Sequence, residues 1–151
     1  MTAKIELTQG NQQARTGTFK KLLWVTPLAM LVTSIANLIL YFLVGTLFPA
    51  VTAWPGASPA QIIGANIVYL FVGAVVLAII NRISSQPARH FRIVATIGLV
   101  LSMFLPVSAW MGYGAAGIAA PNAITAITLG LMHVVSYAIS VPMFIRLVLG
   151  K

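Results

Sequence analysis

Chemistry in this chain has few residues to draw on. Two histidines, one acidic residue and no cysteine stand beside nine lysines and arginines in 151 residues. The acid is Glu6, in a polar N-terminal stretch. General acid–base catalysis, a serine-type triad and a magnesium site each need a carboxylate held close to another functional group, and the chain has no second carboxylate to place. Disulfides, thiolate metal sites and thiol nucleophiles are excluded together by the lack of cysteine. The expectation is a protein that is not an enzyme, with no catalytic residue, no metal site and no cofactor. What remains for binding or relay work is neutral: His133, and asparagines, serines and tyrosines at helical spacing.

The elements that must carry these residues follow from composition. Hydrophobic residues make up 60% of the chain and charged residues 7%, against about 45–50% and about 25% in an ordinary soluble domain. A helix needs about 20 mostly apolar residues to span a hydrocarbon core, and the stretches 22–48, 61–81, 93–110 and 123–145 meet or approach that length. A membrane β-barrel would show alternating polarity, which IVYLFVGAVVLAII at 67–80 lacks. The fold class predicted is all-α, a membrane-embedded four-helix bundle forming a single domain. Residues 1–21 are expected to form a polar cytoplasmic tail; its TQGNQQARTGT stretch reads as flexible or interfacial and has no phosphate-binding pattern. Lys20 and Lys21 precede the first apolar run as in a signal peptide. That run is too long for an h-region of about 7–15 residues and has no clear cleavage site, so it is expected to be retained.

Within the spans, the polar residues fall on stripes. At about 100° per residue, Thr26, Thr33, Asn37 and Tyr41 share a face of the first span, and Asn66, Tyr69 and Gly73 a face of the second. The fourth span places Thr125, His133, Ser136 and Ser140 together, with Tyr137 beside them. Lipid offers these groups no hydrogen bonds, so the stripes should face one another. At 1.5 Å per residue, Asn37 and His133 both lie roughly 15 Å below the outer ends of their helices, near the middle of a core about 30 Å thick. They are the first pair to test in an expected polar seam of Asn37, Tyr41, Asn66, Tyr69, His133, Ser136, Tyr137 and Ser140.

His133 has two readings. An ionisable residue at mid-membrane depth is a functional candidate by default, as a ligand-binding or proton-relay group. The plainer reading is a neutral imidazole that ties two helices together through Asn37, Ser136 or a tyrosine hydroxyl. His90, at the cytoplasmic end of span three, is too distant to share a haem iron with it. Ala126 with Gly130 and Ser136 with Ser140 would let a neighbouring helix approach span four closely. Pro106 and Pro142 sit near span ends, where capping or a mild kink accounts for them.

Charge sets the expected topology. Lys4, Arg15, Lys20 and Lys21 precede span one; Arg82, Arg89 and Arg92 lie between spans two and three; Arg146 and Lys151 follow span four. The connections 49–60 and 111–122 carry no charge. The positive-inside bias therefore predicts both termini and the 82–92 loop in the cytoplasm. Lys20, Lys21, Arg82, Arg89, Arg92 and Arg146 are expected to contact anionic lipid headgroups. A nucleic-acid partner is not expected, because the cations are not gathered with aromatics on one folded face.

TLFPAVTAWPG at 46–56 returns as SMFLPVSAWMG at 102–112, with five of eleven positions identical. Trp54 and Trp110 would anchor both copies at headgroup depth, with Gly56 and Gly112 permitting a turn. Two helical hairpins, spans one plus two and spans three plus four, are expected to be related as parallel repeats.

Span four contains LMHVVSYAISVPMFIR at 131–146. Its Met132–His133 pair, apolar run and Pro142 near the cytoplasmic end resemble the last span of small four-span bacterial membrane proteins classed as a domain of unknown function. The resemblance extends to chain length and span number. It implies a bacterial inner-membrane protein and carries no catalytic role to these residues. Two functional classes stay open. One is a structural, assembly or accessory subunit packing through its helices, as a homo-oligomer or within a larger membrane complex. The other is a small-ligand-binding or proton/solute transport module using the seam around His133.

Overall fold

The computed structural model describes residues 2–114 and 116–150, with side chains described from residue 17 onward. Helix α1 spans Thr2–Leu47, α2 Ala50–Ala53, α3 Pro59–Ile83, α4 Pro87–Ser102, α5 Phe104–Trp110 and α6 Ala123–Met143, with a π-helical turn over Phe144–Val148. There is no strand among the described residues. Four segments, Gly17–Leu47, Pro59–Ile83, Pro87–Trp110 and Ala123–Val148, are long and apolar enough to cross a membrane.

The backbone of the N-terminal segment is helical. It continues α1 from Thr2: good helix formers such as Gln, Ala, Arg and Lys outnumber its two glycines, and no proline precedes Pro27. Helices α3 and α6 start where capping chemistry places them. Ser58 Oγ accepts from Gln61 N at 3.3 Å with Pro59 next in the chain, and Asn122 Oδ1 accepts from Thr125 N at 2.8 Å.

Both span-end prolines do more than cap or kink mildly. Pro106 has no N–H for the Ser102 carbonyl and its ring crowds that group, and the third span breaks at Met103 into α4 and α5. Pro142 leaves the Ala138 carbonyl without its helical donor in the same way, and α6 widens into the π turn just after it.

Helices α1, α3 and α6 form the packed core, while α4 rests against α3 and α6, and α5 against α6. The third span is peripheral: 6% of its apolar window is buried, against 28–33% in the other three. One buried cluster gathers Leu22, Val25, Leu77, Phe91, Phe144 and Val148, with the Phe91 and Phe144 rings edge to face at 5.9 Å. A second, at the opposite end, gathers Tyr41, Val51, Ala57, Ile62 and Met132. Trp54 Nε1 donates to Ala119 O at 2.8 Å, and Thr125 Oγ1 to Ala50 O at 3.4 Å. The two uncharged connections therefore share one end of the bundle. Lys20, Lys21, Arg82, Arg89, Arg92 and Arg146 flank the helix ends that form the first cluster, so charge is segregated along the long axis.

The repeated undecapeptide has a local counterpart in structure. Leu47 ends α1 where Met103 interrupts the third span, and each is followed by a short helix leading to a tryptophan. Burial differs, since Val51 is 2% exposed and its equivalent Val107 is 48% exposed.

Candidate functional site

Three helices meet on one side-chain amide. Asn37 Nδ2 on α1 donates to Asn66 Oδ1 on α3 at 3.2 Å and to Ser136 Oγ on α6 at 2.9 Å. The Ser136 hydroxyl is within reach of Met132 O at 2.8 Å and Asn66 Oδ1 at 3.2 Å, and Asn66 Nδ2 donates to Ser34 Oγ at 3.4 Å. The two donor bonds fix the Asn37 amide so that Oδ1 faces away from both neighbours. Asn37 Oδ1 and Thr33 Oγ1 are buried without a hydrogen-bond partner among the described residues.

This junction forms the floor of a cavity of about 530 Å³ between α3, α4–α5 and α6. On α3 its lining runs from Gln61 to Val76, roughly 22 Å at 1.5 Å per residue. Leu70, Val94, Leu99, Leu105 and Met132 make its walls largely apolar. Gly98 widens it, since a Cβ there would meet nothing within 4 Å. Because α5 packs mainly on α6, the space opens sideways, and Tyr69 in its lining is 50% exposed. Towards the charged end it closes on Phe91 and Phe144.

Seven of the eight residues expected in the seam line this cavity: Asn37, Asn66, Tyr69, His133, Ser136, Tyr137 and Ser140. Tyr41 does not. It faces inward, but its hydroxyl reaches up to donate to Ala57 O at 3.0 Å, holding the α2–α3 connection against α1. Asn37 bonds Ser136, three residues and roughly 4.5 Å further along α6 than His133. Depth counted from helix ends ignores tilt and the register between helices.

His133 is not a helix staple. It packs edge-on against Tyr69 at 6.3 Å and lines the cavity, with no hydrogen bond to its ring among the described residues. His90 instead closes the α3–α4 turn, its Nδ1 2.6 Å from Ser84 Oγ. Three lining or bracing residues of the third span were missed from sequence. Thr96 Oγ1 lies 2.7 Å from Tyr137 Oη and ties α4 to α6, while Gly98 and Ser102 line the groove. The signal was present in Thr96 and Ser102 as isolated polar residues in an apolar run.

No group of three or more His, Asp or Glu side chains that could hold a metal occurs among the described residues. A family model described as Family of unknown function (DUF6069) matches residues 14–148. No curated protein and no solved structure matches the chain.

Proposed function

We propose, for a chain that belongs to this family of unknown function, a membrane-embedded binding module and not an enzyme, taking a small amphipathic ligand from the lipid phase. The apolar part of the ligand lies along α3 and α4, and its polar head reaches the Asn37–Asn66–Ser136 junction with His133 beside it. The observation that carries this reading is the Asn37–Asn66–Ser136 junction with His133 nearby, polar groups set in the lining of a largely apolar cavity. The His133 ring lines the same cavity without a hydrogen-bond partner among the described residues, so a ligand hydroxyl or amide there gains a polar contact that hydrocarbon does not offer. The volume of about 530 Å³ falls in the range of about 300–1,000 Å³ typical of small-molecule sites. The Phe91–Phe144 closure favours binding over conduction of a proton or solute.

The surrounding architecture is read as a multi-pass protein of the bacterial cytoplasmic membrane, with both termini and the 82–92 connection inside. Spans one plus two and three plus four are read as repeated hairpins. The sparsely buried third span supports a second reading, an accessory subunit that covers α4–α5 with a partner helix or a second copy.

Purification in mild detergent followed by mass spectrometry of extracted small molecules separates the two readings. A stoichiometric amphiphile is expected with the native chain, and Gly98→Leu, which fills the groove where a side chain meets no neighbour, should reduce its occupancy at least tenfold while the protein stays folded. Recovery of a stoichiometric protein partner with an empty groove would transfer the reading to assembly.

A further inference from the structure

A second cavity, of about 440 Å³, lies between α4 and the C-terminal part of α6, lined by Arg92, Tyr137, Val141, Pro142, Ile145 and Arg146 among others. It is at the charged end of the bundle, whereas the polar junction of the larger groove is near mid-span. We propose that it is a phosphate site, in which Arg92 and Arg146 clamp the phosphate of an anionic lipid headgroup while Val141, Pro142 and Ile145 contact the chain that follows it.

Three observations support this, none of which depends on the ligand assigned to the larger groove. First, Arg92 and Arg146 line the same cavity from different helices. Two like charges placed this way repel unless an anion lies between them, and the planar guanidinium matches phosphate oxygens with paired N–H donors. Second, neither Arg92 nor Arg146 has a side-chain hydrogen bond or ion pair with a described residue, and the chain's single acid, Glu6, lies in the N-terminal segment. No acidic residue stands along residues 17–150 to pair with Arg92 or Arg146. Third, the π turn that follows Pro142 carries Arg146, and such turns recur at functional sites. Tyr137 stands between the two cavities and lines both, held to Thr96 across the α4–α6 contact.

The same chemistry would accept a soluble phosphate, so the test has an arm for each source. Native mass spectrometry of the full chain in detergent is run with phosphatidylglycerol, with phosphatidylcholine and with inorganic phosphate. One phosphatidylglycerol is expected to be retained by the native chain in preference to phosphatidylcholine, with at least a tenfold loss in Arg92→Gln/Arg146→Gln. Arg92→Lys, which keeps the charge but not the paired donors, should lie between them and serves as the readout if the double variant does not fold. Equal retention of phosphatidylglycerol by the native and double-variant chains would overturn the site. So would equal retention of both lipids by the native chain when inorganic phosphate also fails to bind. Binding of inorganic phosphate that displaces the lipid would overturn the lipid as the source.

Discussion

At Asn37 a single amide serves three helices, so its loss should be felt more than that of its neighbour His133. Asn37→Leu removes both donor bonds and leaves Asn66 Oδ1 dependent on Ser136 alone. Hydrogen bonds between membrane helices contribute about 0.6 kcal/mol on average and up to about 1.7, so a loss of about 1–2 kcal/mol is expected for the pair. Thermal unfolding in detergent should show it as a lower midpoint for Asn37→Leu and a smaller shift for His133→Leu, whose ring has only the Tyr69 edge contact and no hydrogen bond among the described residues to give up. An equal drop in both would mean that the imidazole has a structural partner. The stripes that led to Asn37, Asn66 and Ser136 were legible because helical periodicity belongs to one helix at a time. Which amide meets which hydroxyl was not, because that depends on how two helices slide and tilt against each other. Tyr41 shows the same limit: its face was readable, and the reach of its ring towards Ala57 was not.

Among the elements, the third span was the least legible. Its apolarity marked it as a membrane segment, but its place at the edge of the bundle follows from how little of its surface finds a partner. Proline chemistry accounts for its interruption at Met103, yet that break was not separable in sequence from an ordinary span end. What holds α4 beside α6 among polar contacts is the Thr96–Tyr137 bond, since the rest of the contact is apolar and can slide. Tyr137→Phe should therefore loosen α4 with little effect on the α1–α3–α6 core. Hydrogen exchange is expected to quicken in Pro87–Ser102 and stay unchanged in Pro59–Ile83; a uniform increase across both would show that α4 is part of one cooperative unit with the core. The groove between α3 and α5 exists because this span is held at so few points, which links its weak packing to the site it walls.

For the whole molecule, the segregation of charge makes a prediction that fold alone does not. The described lysines and arginines flank one end of the bundle, and the uncharged connections carrying Trp54 and Trp110 form the other. Translocating the 82–92 connection would move three arginines across the bilayer, whereas either uncharged connection crosses without such a penalty. The chain has no cysteine, so a single introduced thiol reports its own position with no background. Ala116→Cys, in the 111–122 connection, should react with a membrane-impermeant maleimide in intact cells, and Ser85→Cys, in the α3–α4 turn, only after the membrane is opened. Both side chains lie in connections between spans, so labelling reports sidedness and not burial in the core. Reaction of the Ser85→Cys chain in intact cells would invert the orientation and place the Arg92–Arg146 cavity against the outer leaflet. Labelling of both in intact cells would mean that the third and fourth spans do not form a transmembrane hairpin at all, and the lateral groove between them and α3 would then lose its lipid-facing mouth.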